Sequence, residues 1–532
     1  MITKTRFVEY MTCHKKAWMS ANMPWMRKFS AVSNQLARTG NVVGELAKGL
    51  FGPSADAFAL RQDGSLDVEA MALKTMESIF RGKETVCDAA FCSYNGSRLT
   101  GFCICDILHK ENGGYAVYEV KSSRVTVNEK YIWDLAYQDF VLSRKGIVPV
   151  AFYSVVLNRD YIWDGKTDST GKPVYDLQKL FMITDLTDEV VKYRGTLGDA
   201  DKDVNDAIRV KEEPRTVLCE NCMSCDFYDY CKNQLCLDKH SIMTLYGYPL
   251  SKKIELFNNG VWNLRGFSRT QDGKKVFNEN TPAAKIRQHQ IVAGTMFPGA
   301  PEPMIDKAAL RSFLDCLGED SFCCLDFETT RFPLPTVVGT KPYQQIPFMY
   351  SFDIMHERTI LQHMEFIADE NDSDVVRHFA ESLVHDVPAG HAVLVYGAGS
   401  KRACLLELAS MYHDLADQLL QIERSMVDLQ MVFKRGHYYD SAMHGDFSLK
   451  SVLKALYPEW RPFDFRILEA DLDGTETREV LFERCDTVNE AMFWIVSKLK
   501  EDSGWNEIRE MMADDLPFDD SIFDQIDFTS SL

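Results

Sequence analysis

Between residues 101 and 123 the chain reads as a strand, a tight turn and a second strand. Lys110-Glu-Asn-Gly-Gly114 carries the turn, because an Asn-Gly pair accepts the positive φ angles that a two-residue hairpin needs. Residues 115–120 then alternate as a strand. Residues 128–145 follow as a helix closed by Gly146, and 148–157 as a further strand. Hairpin, helix, strand is an α/β pattern. It sets Asp106, Glu119 and Lys121 on neighbouring strands of one sheet.

Alternation puts Glu119 and Lys121 on one face of their strand and Val120 on the other. The hairpin brings Asp106 beside them. Two carboxylates on adjacent strands make a hard-cation site suited to magnesium or manganese. A lysine beside them can orient an attacking water and stabilise charge developing on a phosphate. An isolated Glu-x-Lys would read as an ordinary surface pair. The preceding Asp and turn, with Tyr115, Val117 and Val120 around the pair, shift the balance towards a site.

The 532 residues are too many for one ordinary domain. With 45% hydrophobic and 11% aromatic residues, the chain can bury substantial cores and is not a disordered protein. No apolar run approaches the roughly 18 residues of a membrane span. Met1 to Tyr10 lacks the apolar stretch of a secretory signal. Both observations point to the cytoplasm. There the 15 cysteines stay reduced, and clustered ones suggest metal rather than disulfides. The formal charge of −19 argues against a nucleic-acid partner, but it is unevenly spread. Residues 1–250 carry about −1 and the rest about −18, so the first half can hold a local basic groove.

Residues 1–50 read as helical, with basic residues among Trp18, Trp25 and Phe29. A first α/β domain runs over 1–235 and ends in a cysteine-rich segment. Residues 236–315 read as a mixed connector. Strands at 322–327, 345–355 and 393–396, with helices near Leu405 and over 491–499, give a second α/β domain over 316–500. Residues 501–532 hold about ten acids and one base, the composition of a mobile acidic tail.

Gly101-Phe-Cys-Ile-Cys-Asp106 followed by Tyr118-Glu-Val-Lys-Ser-Ser123 resembles the PD-(D/E)XK nuclease core. The variant is similar to RecB-type nucleases and to the iron–sulfur exonuclease of CRISPR adaptation. The resemblance implies a DNA nuclease in which Asp106, Glu119 and Lys121 are catalytic and Asp106 and Glu119 hold the metal. That family adds a glutamine on the next helix, and Tyr137-Gln138 resembles that position. Helical spacing puts Gln138 on a face with Tyr131, Leu135 and Leu142, so a satisfied buried glutamine is an equal reading. The family also places a metal-binding residue, usually histidine, on an early helix. Gly40-Asn-Val-Val-Gly44-Glu45 resembles that segment, with Gly44 in the histidine's place. Glu45 is the substitute candidate; a solvated helix carboxylate is the other reading.

Cys219, Cys222, Cys225 and Cys231 are spaced densely enough to converge on one soft metal centre. If these four act together, zinc is the natural ligand. The family resemblance implies a four-iron, four-sulfur cluster instead, held by one cysteine near the N-terminus and three at the domain's end. Cys13, within Tyr10-Met-Thr-Cys13-His-Lys-Lys-Ala-Trp18, fits the first position, and Cys222, Cys225 and Cys231 fit the others. Cys219 competes with Cys222, and Cys236 is a spare.

Cys324-Leu-Asp326-Phe-Glu328-Thr-Thr330 puts two further carboxylates on one strand face. It resembles the first motif of DnaQ-like exonucleases, which have an RNase H-like fold. Gly339-Thr-Lys-Pro-Tyr-Gln-Gln-Ile-Pro-Phe348 with Gly445-Asp-Phe-Ser-Leu-Lys450-Ser-Val-Leu453 resembles a bacterial domain family of unknown function that follows iron–sulfur PD-(D/E)XK nucleases. The second exonuclease motif has Lys401 where an acid belongs. The third, at Arg484-Cys485-Asp-Thr-Val488, has Val488 in the acid's place. Asp428 and Asp486 are nearby acids. Without a full set of acids the two-metal geometry is lost, so Asp326 and Glu328 read as a second site without activity, in a domain that binds nucleic acid or a partner protein.

The leading expectation is a DNA nuclease working through the first domain. The runner-up is a nucleic-acid-binding or scaffold subunit of a larger assembly. A third reading makes the second domain a working exonuclease, and its missing acids count against it. Asp514-Asp-Leu-Pro-Phe518-Asp-Asp520 resembles the acidic tip of bacterial single-stranded-DNA-binding proteins. It implies docking to a partner's basic pocket, or folding back on the nuclease groove; a solubilising arm is the plain alternative.

Overall fold

The structure, a computed structural model, describes residues 1–28, 31–295, 303–318, 321–356, 359–369, 372, 374–458 and 478–505. The acidic segment around Phe518 lies outside the described residues. The chain forms two compact units. The first comprises Met1–Leu237 with Thr330–Ile346, and the second holds Asp238–Thr329 and most of the chain from Pro347 onwards. The segment 236–315 therefore falls almost wholly in the second unit, where it supplies the helices Leu250–Asn258, Pro282–Thr295 and Lys307–Asp315.

The first unit is built on a seven-stranded mixed sheet. Its strands are β1 (Ile2–Thr3), β2 (Ala55–Asp56), β3 (Thr85–Asn95), β4 (Arg98–Glu111), β5 (Gly114–Lys121), β6 (Phe152–Leu157) and β7 (Phe181–Asp185). They lie in the order β2-β3-β4-β5-β6-β7, and β1 pairs with β4. Asn112 and Gly113 turn β4 into β5 with φ of 47° and 80°, the positive values that the Asn-Gly signal foretells. Helices α1 (Lys4–Thr12), α2 (His14–Asn22), α3 (Ala31–Ala47), α4 (Val68–Phe80) and α5 (Glu129–Ser143) accompany the sheet.

β5 and β6 are parallel, so the chain must cross over between them, and α5 makes that crossing. Asn128 starts α5 by accepting the Lys130 amide at 2.9 Å. Leu135, Tyr137, Val141 and Leu142 are fully buried against Phe7, Val117 and Phe152. This packing fixes the rotation of α5, and with it the direction of Asp134 and Gln138.

The second unit centres on a five-stranded sheet. A short pair, β8 (Met304–Ile305) with β14 (Tyr438–Tyr439), lies apart from it. The main strands are β9 (Ser321–Arg331), β10 (Gln345–His356), β11 (Thr359–Ile367), β12 (Val393–Val395) and β13 (Met426–Asp428), in the order β11-β10-β9-β12-β13. β12 runs parallel to both β9 and β13, and β10 antiparallel to β11. The strand order reverses direction at β9. Among the described residues no helix is long and apolar enough to cross a membrane.

Candidate active site

The β4–β5 ladder pairs Ile107 with Tyr118, and its register carries on to set Asp106 opposite Glu119. Asp106 Oδ2 accepts the Val120 amide at 2.7 Å, which fixes that carboxylate across the two strands. Glu119 is 1% exposed. Its Oε1 accepts from Lys121 Nζ and from Lys4 Nζ, each at 2.7 Å. Its Oε2 accepts from Gln138 Nε2 at 2.8 Å. Lys121 Nζ also donates to Asp134 Oδ2 at 2.8 Å, and Asp134 Oδ1 accepts from Gln138 at 3.1 Å. The structure thus brings Asp106, Glu119, Lys121 and Gln138 together.

Two members of this set carry no motif. Lys4 stands 115 residues from Glu119 in sequence and arrives because β1, which directly precedes it, pairs with β4. Asp134 precedes Gln138 by one helical turn, so the two share a face; that spacing is the signal that marks it.

Three carboxylates share two ammonium groups here. Burial, then Asp106 and Asp134, push the Glu119 carboxyl up to about 7, although Lys121 and Lys4 oppose the shift. Burial works against ionisation of Asp134 too, but Lys121 and Lys4 win and hold it well below the usual range. Burial would lower both lysines; the surrounding acids raise them instead. Asp134 is the lysines' ionised partner, and Glu119 is the carboxylate still short of positive charge. A hard cation would relieve that shortage. All the spare donors are oxygens, including Gln138 Oε1, which is buried without a hydrogen-bond partner. The residues fit magnesium or manganese.

Glu45 is placed elsewhere. Its side chain is 70% exposed and pairs with Lys48 at 2.7 Å. Lys48 in turn holds Asp88 at 2.6 Å. The β3–β4 ladder pairs Cys87 with Ile107 and Ala89 with Cys105, so Asp88 stands beside Asp106. Asp88 has φ of 51°, rare for a non-glycine residue inside a strand. Burial raises its carboxyl, and the Asp106 charge adds to the rise. Sequence reasoning missed this residue, because nothing in the local pattern marks a backbone reversal within a strand.

Cys13, Cys219, Cys222, Cys225 and Cys231 line one cavity. Met19 and Phe227 wall it on an apolar side, with Trp18 packed in the same cluster. Burial is the first cause raising the thiols of Cys222, Cys225 and Cys231, and Cys13 adds to each. The Cys219 and Cys222 sulfurs are 3.7 Å apart. Two ligands of one tetrahedral zinc would stand about that close, with bonds of about 2.3 Å. Among the described residues the cysteines are not drawn into a trio of that compactness. Cys236 is exposed and is not among the cavity's lining residues.

In the second unit, Asp326 and Glu328 lie on β9, and with Cys485 they offer ligand atoms all within 4.8 Å of one another. Lys401 Nζ sits 2.7 Å from Asp326 Oδ1, both side chains being largely buried. Burial and then Asp326 raise the Glu328 carboxyl. Neither nearby acid completes the set. Asp428 accepts the Gly397 and Ala398 amides at 2.9 and 3.0 Å, capping the helix Ala398–Met411. Asp486 accepts from Ser351 Oγ at 2.6 Å, and Val488 packs against the apolar core. The lysine in the acid's place neutralises Asp326. Lys401→Ala therefore strands a buried carboxylate and should cost about 3 kcal/mol of stability by denaturant unfolding. A loss within about 0.5 kcal/mol, the ordinary range of surface changes, would show that the pair is not a buried ion pair.

Residues 323–448 match a family described as a domain of unknown function, DUF2779. The match thus includes residues 330–346, which pack in the first unit. Comparison with curated proteins gives no match, and neither does comparison with solved structures.

Proposed function

We propose that this chain is a metal-dependent nuclease that hydrolyses phosphodiester bonds, with DNA as the favoured substrate and exonucleolytic action. One observation carries the reading: Asp106, Glu119, Lys121 and Gln138 meet in one buried, charged site on a sheet and its crossover helix. That grouping supports the PD-(D/E)XK resemblance of the sequence. Asp106 and Glu119 would hold magnesium or manganese, which when bound polarises a phosphodiester oxygen and acidifies water. Lys121 is held between Glu119 and Asp134, so its ammonium is aimed before substrate arrives. Gln138 ties the same two carboxylates together and limits their rotation. Lys4 adds a second positive group able to meet a phosphate oxygen.

Cys13, Cys222, Cys225 and Cys231 would hold a [4Fe–4S] cluster, with zinc as the alternative metal. The shared cavity, which Cys13 lines together with the terminal cysteines, supports the larger group. The second unit reads as RNase H-like and inactive, which its Lys401–Asp326 pair supports. It would bind nucleic acid or a protein partner.

The test is incubation of the purified full-length chain with end-labelled single- and double-stranded DNA and RNA, with manganese or magnesium. Progressive shortening of DNA that stops on chelation is expected. No cleavage of any substrate with either metal overturns the reading and leaves a binding or scaffold subunit.

A further inference from the structure

β9 leaves the second unit at Thr330 and the chain rejoins it at Pro347; the 17 residues between, Thr330–Ile346, are folded into the first unit. They are anchored there at several points. Leu334 is buried in a cluster with Tyr118, Val155 and Trp163. The Gly339 amide donates to the Trp163 carbonyl at 3.0 Å, and the Trp163 amide to the Thr340 carbonyl at 3.1 Å. Tyr175 OH donates to the Pro335 carbonyl at 3.0 Å.

The far end of this segment reaches the candidate active site. Tyr343 OH donates to the carbonyl of Ser122, the residue that follows Lys121. Arg124 lies over the Tyr343 ring at 5.7 Å, and its Nη1 donates to the Pro342 carbonyl at 3.3 Å. Tyr343 has φ of 58°, a region that a bulky residue occupies only when its surroundings hold it there. On its other side the same loop is tied to β6: the Leu157 amide donates to the Ser123 carbonyl at 2.8 Å, and Ser154 Oγ to the Thr126 carbonyl at 2.7 Å. Between these two fastenings the loop presents Arg124, Val125 and Val127 to solvent.

A phenylalanine would fill the space of the Tyr343 ring equally well. The hydroxyl adds one thing, a hold on the backbone beside Lys121. We propose that Tyr343 is a positioning residue for the loop after Lys121, fixing Lys121 and presenting Arg124 to the phosphate backbone of a nucleic-acid strand. This rests on the nuclease reading for its substrate, but the hold itself does not. An exposed guanidinium next to a hydrolytic site is the kind of group that positions a strand without reading its bases.

The test uses three single variants of the full-length chain: Tyr343→Phe, Arg124→Ala and Tyr175→Phe. Tyr175→Phe cuts a hydrogen bond of the same segment at its other end and serves as the structural control. In Tyr343→Phe, hydrogen exchange at the Leu157 and Val125 amides should quicken by about five- to tenfold, the scale of one lost hydrogen bond. kcat on end-labelled DNA should fall by a similar factor with KM unchanged. Arg124→Ala should raise KM about tenfold at constant kcat. Tyr175→Phe should change none of these.

Unchanged exchange in Tyr343→Phe overturns the proposal, as does an equal change in Tyr175→Phe. Unchanged KM in Arg124→Ala overturns the strand contact. Faster exchange in Tyr343→Phe, together with a wild-type chain that cleaves no nucleic acid, supports the hold and refutes the nuclease reading separately.

Discussion

Asp106→Ala and Lys121→Ala should each reduce metal-dependent cleavage at least about a hundredfold, the usual scale for removing a group that stabilises transition-state charge. Asp326→Ala should keep most of the activity. The contrast comes from how each acid set is balanced. In the first unit three carboxylates face two lysines, and Glu119 remains short of positive charge with both in place. In the second, Lys401 already satisfies Asp326. Manganese binding measured by calorimetry should show the same split, lost in Asp106→Ala and kept in Asp326→Ala. Glu45→Ala should be silent in both assays, since its exposed side chain contacts Lys48 alone among its ion pairs. If Asp326→Ala is dead and Lys121→Ala works, the active unit has been assigned to the wrong half of the chain.

The parts of this site that could be read from sequence are those set by local rules. Asn112-Gly113 announces its turn, strand alternation puts Glu119 with Lys121, and the turn of α5 relates Asp134 to Gln138. The hidden parts depend on long-range docking or on unusual backbone. Lys4 reaches Glu119 only because β1 lies along β4. Asp88 stands beside Asp106 in register with a positive φ that no neighbouring residue type signals. Residues 330–346 read as part of a continuous second domain, yet they leave it and return. The family resemblance implies an early-helix metal ligand near Glu45, but one residue around a helix is about 100° of rotation. That step is enough to face Glu45 to solvent while Val43 and Ala47 are buried.

The protein purified without oxygen should be brown, with broad visible absorption and iron at about four per chain. Cys13→Ala should bleach it and lower the unfolding midpoint of residues 1–235 by about 10 °C. The size of that effect comes from where the ligands stand. A group held by Cys13 and by Cys222, Cys225 and Cys231 closes a loop of about 200 residues, where loop-closure entropy makes a crosslink most stabilising. Beside the cavity, Trp18, Met19 and Phe227 form a small buried apolar cluster that joins α2 to the end of the unit. Lys15 and Lys16 lie close enough to Cys231 and Cys225 to oppose, without reversing, the rise that burial gives their thiols. Cys219→Ala and Cys222→Ala separate the two competing ligand sets. With Cys222 as ligand, Cys222→Ala loses colour and iron, while Cys219→Ala keeps both. Zinc at one per chain in a colourless protein, lost equally on changing Cys219 or Cys222 and indifferent to Cys13→Ala, would replace the cluster with a tetrahedral site made by the terminal cysteines alone.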